Sequence, residues 1–209
     1  MRHAQARHAP GTSYEDASLS ALGRTQAAAV ARACTDRPPD VLYSSPAPRA
    51  RETADLISVA AGLSVTVDER LLEYRSGTIT DPGLTVEQIL QRRGDLLAWH
   101  PNSKLAPDGE TTREFAARVK AATDEIVARH VGDRVVIVSH AGAIHMIIRW
   151  ASGLGPDTPV LHGFLIANAS ISELIHWPGG RITGGGPRYT EFASVGSVDH
   201  LPSEHRSGN

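Results

Sequence analysis

Cysteine is nearly absent from this sequence: Cys34 is the only one among 209 residues. A single thiol excludes an intrachain disulfide framework and a structural zinc site built from several cysteines. Long apolar runs are absent too, since none approaches the roughly 20 residues that cross a membrane as a helix. These absences favour a protein of the reducing cytoplasm.

Blocks of like charge are also missing. The chain has 21 Lys and Arg against 23 Asp and Glu, a net charge of −2, and the basic residues are scattered. This pattern argues against a nucleic-acid surface and a membrane-binding face. We expect a small-molecule partner, and the sequence leaves a homodimer open.

The composition suits one globular domain, because 41% of the residues are hydrophobic and a chain of this length can bury its own core. We assign this domain to residues 1–197. The polar stretch 198–209 is expected to be a flexible tail.

The most informative stretch is an apolar run, Val135 to Val138, that stops at Ser139-His140. A run without polar alternation is typical of a central parallel strand covered on both faces, and helical spacing resumes from Ala143 to Trp150. His140 is therefore predicted in a strand-to-helix turn. Ligands of α/β sheets bind at such turns, and free helix N–H groups favour an anion such as phosphate.

Strand and helix patterns alternate along the rest of the chain. This predicts an α/β fold, a three-layer sandwich with a central, mostly parallel sheet and helices on both faces. The expected helices are 21–34, 46–61, 85–99 and 111–130, with Ser20 and Ser45 as N-caps of the first two; the expected strands are 40–44, 65–67, 164–167, 171–177 and 189–195.

Two charged residues stand where chemistry is possible. Arg49 falls near the start of a helix, where a guanidinium is poorly placed for the helix dipole unless an anion also binds. Glu73 directly follows two leucines, a setting that suits a general acid. Taken singly, a solvated arginine and a surface glutamate are equally good interpretations.

Several motifs, taken in order, resemble the histidine phosphatase superfamily, the group that includes cofactor-dependent phosphoglycerate mutases. The resemblance covers most of the chain and implies a phosphoglycerate mutase-like fold. The matching segments are R-H-A at 2–4, L-S-A-L-G-R-T-Q-A at 19–27, S-S-P-A-P-R-A-R-E-T-A at 44–54, L-L-E at 71–73, D-G-E-T at 108–111 and V-S-H-A-G at 138–142.

The resemblance implies a role for each matching residue. His3 is the phosphate-accepting nucleophile, and Glu73 is the proton donor. The phosphate pocket is formed by Arg2, Arg49, His140 and Ala141, with His140 also counted as catalytic. Guanidinium groups supply paired donors that match phosphoryl oxygens, so we expect a phosphohistidine intermediate with no metal and no cofactor.

Departures from the family pattern favour a phosphatase over a mutase. Mutases carry a hydroxyl residue, an asparagine and a tyrosine where this chain has Ala6, Ala9 and Ser76, so groups that would hold a bisphosphate are missing. The expected substrate is a small phosphomonoester such as a sugar or nucleotide phosphate. The alternatives are mutase-type phosphoryl transfer, a phosphohistidine-protein phosphatase, and a weakly catalytic regulatory protein.

Substrate choice is assigned to residues around the mouth of the pocket, namely Gln5, Arg7, Tyr14 and Arg75. The family pattern also places a central strand directly before the Arg-His pair, where this sequence has only Met1. We therefore hypothesise that Met1 is an internal methionine of a longer natural protein.

Overall fold

The computed structural model describes residues 1–7, 16–78, 101–155, 158, 163–180 and 186–206, so Tyr14 and the predicted helix 85–99 lie outside the described residues. The helices are α1 (Ala21–Asp36), α2 (Pro48–Ala61), α3 (Thr112–Arg129) and α4 (Ala141–Ala151). The strands are β1 (Val41–Ser44), β2 (Val65–Val67), β3 (Val135–Val138), β4 (Ile171–Trp177) and β5 (Tyr189–Ser197). Two short 3-10 helices span Glu69–Leu71 and Ser203–His205.

A parallel sheet in the order β2-β1-β3 forms the centre, and β4 and β5 form an antiparallel pair. Successive residues of β1 point to opposite faces: Leu42 packs with apolar residues of α1 and α2, whereas Tyr43 packs with Leu71 and residues of α3. The central strand β1 is thus covered on both sides. The predicted α/β fold with helices on both faces of a parallel sheet is confirmed.

The first residues of the chain continue the sheet beyond β3. Arg2 pairs with Ser139 in parallel, and His3 donates its backbone N–H to the Ser139 carbonyl at 2.8 Å. On the other side, the carbonyl of His3 accepts from the Ala169 N–H at 3.1 Å. His3 is therefore held by backbone hydrogen bonds on both flanks, at the edge where β3 ends.

The predicted strand 164–167 is wrong, because these residues are not in a strand and pair with none of the strands in the described part of the chain. Ile166 alone is buried and packs with Ile144 and Ile148 of α4, whereas Leu165 is exposed. One residue of the apolar run thus packs against a helix. Hydrophobicity alone does not distinguish this packing from the pairing of a strand in a sheet.

The predicted cap of the second helix is also corrected. Ala47 is the N-cap of α2 and makes no side-chain cap bond, while proline stands at the first helical position as Pro48. Ser45 precedes the helix, and its hydroxyl has another partner, described below. At the other end, Gly62 closes α2 in the left-handed conformation at φ 68°.

The predicted flexible tail is anchored to α1 at two points within its described part, 198–206, although most of these residues are exposed. Leu201 is only 2% exposed and belongs to the same apolar cluster as α1. Gln26 of α1 donates from its side-chain amide to the carbonyl of His205 at 2.7 Å. Among the helices in the described ranges, none is long and apolar enough to span a membrane.

Candidate active site

His3 is buried, at 2% exposure, and its protonation is fixed by its neighbours. Its Nδ1 lies 2.7 Å from the carbonyl oxygen of Ala4. A carbonyl only accepts, so Nδ1 holds the proton and Nε2 presents a lone pair. Burial lowers the pKa of His3 well below its usual range, and a protonated His140 and the guanidinium of Arg49 act in the same direction. The ring is therefore neutral and suited to nucleophilic attack through Nε2.

Arg49 connects the two buried histidines. It lies in the first turn of α2 at 2% exposure, and its Nε donates to Nε2 of His3 at 3.2 Å. Its Nη2 lies 3.3 Å from Nδ1 of His140, and the two imidazole rings are 5.1 Å apart between centroids. One guanidinium thus faces the reactive nitrogen of His3 and the ring of His140 together.

His140 is the N-cap of α4, directly after β3, so the predicted strand-to-helix position is observed. Because the guanidinium of Arg49 only donates, Nδ1 of His140 accepts and its proton lies on Nε2. Nε2 of His140 therefore donates a hydrogen bond to the Ser45 hydroxyl, at 2.8 Å. Sequence reasoning missed Ser45; the available signal was a serine directly after β1, at the same sheet edge as His140.

Glu73 binds the N-terminus of α4. Its Oε2 accepts from the Gly142 N–H at 3.0 Å, and its Oε1 accepts from the Tyr74 N–H at 2.8 Å. A carboxylate is favoured at a helix N-terminus by the dipole and the free N–H groups. The sequence predicts phosphate binding at this helix N-terminus through Ala141. In the structure the backbone N–H of the next residue, Gly142, donates to Glu73 instead. The role of Ala141 stays a prediction.

Gly142 is required by this contact, because a Cβ built there would lie 2.2 Å from Oε1 of Glu73. Replacing Gly142 by alanine should displace the carboxyl group of Glu73. We expect kcat/KM for an alkyl phosphomonoester to fall by about a hundred-fold, the effect of moving a catalytic group by about 1 Å. Steady-state phosphate release measures this.

The matched control is Gly155→Ala, since a Cβ at Gly155 meets nothing within 4 Å. This variant should keep wild-type kinetics. A Gly142→Ala protein with unchanged kcat/KM would show that the position of Glu73 does not matter for turnover.

Arg2 lies beside the same cluster. It is partly buried and donates from its Nη1 to the Ile166 carbonyl at 2.5 Å, and its charge also lowers the pKa of His3. Five residues selected from the sequence are therefore brought to one edge of the sheet: Arg2, His3, Arg49, Glu73 and His140. Their catalytic and binding roles are proposals.

The residues predicted to contact the substrate are not gathered in one cluster as the catalytic candidates are. Oε1 of Gln5 accepts from the hydroxyl of Ser20, the N-cap of α1, at 2.7 Å, which ties that side chain to the helix start. Arg7 and Arg75 have exposed side chains. Their substrate roles, and that of Tyr14, stay predictions. No group of three or more His, Cys, Asp or Glu in the described part of the chain is placed to hold a metal ion.

Comparison with known proteins gives matches over most of the chain. The family model described as "Histidine phosphatase superfamily (branch 1)" matches residues 1–184. A putative phosphoserine phosphatase 2 of Hydrogenobacter thermophilus is 32% identical over 189 residues, which is 88% of this chain and 90% of that protein. A glucosyl-3-phosphoglycerate phosphatase of Mycobacterium tuberculosis is 36% identical over 190 residues, 85% of this chain and 77% of that protein.

A solved structure matches as well. A mycobacterial glucosyl-3-phosphoglycerate phosphatase, determined in complex with inorganic phosphate, superposes with a TM-score of 0.74 at 29% identity. The superposition covers 96% of this chain and 97% of that one.

Proposed function

The chain belongs to the histidine phosphatase superfamily (branch 1), and from this premise we propose that it hydrolyses small phosphomonoesters through a phosphohistidine intermediate on His3, without a metal or another cofactor. The observation that supports this most is the buried pair of His3 and Arg49. The proton of His3 is fixed on Nδ1 by Ala4, and Arg49 faces the Nε2 lone pair at 3.2 Å.

In the first step, Nε2 of His3 attacks the phosphorus atom and the bond to the leaving oxygen breaks. Charge is spread over the three remaining phosphoryl oxygens, and the guanidinium groups of Arg2 and Arg49 supply donors for it. His140 lies against the same site and adds a donor to these oxygens when it is protonated. Glu73, in its protonated form, gives a proton to the leaving alcohol oxygen.

In the second step, water replaces the histidine on phosphorus. Glu73, now ionised, takes a proton from the attacking water, and the bond between phosphorus and Nε2 of His3 breaks. Inorganic phosphate leaves and His3 returns to its neutral form. One carboxyl group thus acts first as an acid and then as a base, which is covalent ping-pong hydrolysis.

Two considerations favour hydrolysis of a small metabolite. Relatives are named phosphatases of phosphoserine and of glucosyl-3-phosphoglycerate, both small phosphorylated compounds. The mutase-type groups expected at Ala6 and Ser76 are also absent from this sequence.

The test is release of phosphate from a panel of phosphomonoesters, run with a chelator present. The panel contains phosphoserine, glucosyl-3-phosphoglycerate, sugar phosphates and nucleoside monophosphates. We expect release that the chelator does not change, with one or a few compounds preferred by kcat/KM. Transfer of phosphate to another carbon with none released would support the mutase alternative, and loss of activity with chelator would refute metal independence.

A further inference from the structure

An ion pair between Glu110 and Arg118 holds the backbone around Glu73. Arg118 of α3 donates from Nη1 to the carbonyls of Arg70 at 2.9 Å and Leu72 at 2.8 Å, and from Nη2 to that of Glu73 at 2.8 Å. Its Nε and Nη2 also donate to the two carboxylate oxygens of Glu110, at 2.8 and 2.5 Å. All five N–H donors of the guanidinium are therefore used.

Glu110 fixes the chain on the far side of Glu73. Its Oε1 accepts from the Arg75 N–H at 2.8 Å, and its own N–H donates to the Arg75 carbonyl at 2.9 Å. Close contact continues at Gly109, where a Cβ would lie 2.6 Å from the carbonyl oxygen of Ser76. The D-G-E-T segment, to which the family resemblance assigned no chemical role, is thus docked against the segment that follows Glu73.

The burial of this pair indicates a role in geometry. The side chains of Arg118 and Glu110 are 14% and 10% exposed. Removing two charges from water costs about as much as their attraction returns, so a buried ion pair contributes little net stability. What this pair supplies is orientation: five donors and two carboxylate oxygens define the path of the backbone from Arg70 to Arg75.

We propose that Glu110 and Arg118 are positioning residues that hold Glu73 where it can protonate the leaving oxygen. The inference rests on the proposed function of Glu73. Neither side chain hydrogen-bonds to His3, Arg49 or His140, so the effect is specific to proton transfer and leaves phosphate binding intact.

Arg118→Lys tests this, because an ammonium has three donors and cannot replace the planar fork. Two substrates are compared: phosphoserine, whose alkoxide leaving group needs a proton, and 4-nitrophenyl phosphate, whose leaving group departs without one. We expect kcat/KM for phosphoserine to fall about a hundred-fold, and that for 4-nitrophenyl phosphate to change less than about three-fold. Competitive inhibition by inorganic phosphate should be unchanged.

The same pattern is expected for Glu110→Gln, which keeps the side-chain volume, and for Glu73→Gln as the reference for a lost proton donor. Arg129→Lys is the matched control, because Arg129 is exposed on the same helix and pairs with Glu125 at the surface. The melting temperature of each variant shows whether it is folded. If Arg118→Lys does not fold, the kinetics of Glu110→Gln test the positioning role.

Equal losses on both substrates, or weaker inhibition by phosphate, would overturn the positioning role and indicate a general structural one. Unchanged kinetics on both substrates would overturn it too. A wild-type protein that hydrolyses neither substrate would instead refute the proposed function, and the positioning role with it.

Discussion

Replacing His3 by alanine is expected to lower kcat/KM for every phosphomonoester by a factor of about 10⁴ or more, the scale seen when the nucleophile of a covalent mechanism is removed. The buried ring provides the only attacking atom of the proposed mechanism, its Nε2, whose lone pair is set by the bond from Nδ1 to Ala4. The mutant should also form no acid-labile phosphoprotein when mixed rapidly with substrate, whereas the wild type should.

His205→Ala serves as the control, since this histidine lies in the C-terminal 3-10 helix and its hydrogen bonds to Gln26 and Pro202 are made by backbone groups that alanine keeps. It should retain activity. A His3→Ala protein that still forms an acid-labile phosphoprotein would assign the nucleophile to another residue and disprove the proposed mechanism.

Replacing Arg49 by methionine is expected to lower kcat/KM by about 10³, the cost of losing preorganised donors to developing charge. Methionine fills much of the same volume as the buried arginine side chain, which limits the cavity that the change leaves. The same variant should change the titration of His3, because the charge of Arg49 is one cause of its lowered pKa.

The sign of that change is definite. Without Arg49 the pKa of His3 should rise toward its usual value, while burial and His140 still hold it lower. Neutral His3 is required for attack, so activity is lost as the pH falls through this pKa, and the variant should lose it at a higher pH than the wild type. NMR titration of the histidine rings measures the pKa directly.

Arg51→Met is the control, because Arg51 is on the same helix and pairs with Asp55 at the surface. It should change neither the pKa of His3 nor the rate. A pKa of His3 that stays the same or falls in Arg49→Met would show that the guanidinium does not act on the ring electrostatically.

Two residues of the candidate site could be placed from the sequence pattern because they follow the ends of parallel strands, whereas Arg2, His3 and the role of Glu73 came from the family resemblance. His140 follows β3, and Arg49 begins the helix after β1, and parallel strands bring their carboxyl ends to one edge. What could not be predicted are contacts set by side-chain direction. The bond from His140 to Ser45 and the use of the Gly142 N–H by Glu73 depend on tertiary packing that no local pattern encodes.

The role of the D-G-E-T segment could not be predicted for the same reason. Glu110 contacts Arg75, which is 35 positions away in the sequence, and Arg118, which is eight positions away. Only the contact with Arg118 lies within one short segment, so the sequence pattern gives no sign of the contact with Arg75. The strand predicted at 164–167 is wrong for a different reason. Its local apolar pattern suits a strand, but the apolar side chain of Ile166 packs against α4 instead of joining a sheet.

The hydrogen bonds that fix His3 between Ser139 and Ala169 also bear on how the protein reaches its active form. They join positions far apart in the chain, and contacts of this kind form late, because long loops must close first. The surroundings of His3, the proposed nucleophile, therefore depend on β3 and on the segment before β4 being in their native places. Hydrolytic activity is then a property of the completed fold alone, and a measurement of turnover is at the same time a measurement of the yield of folded chains.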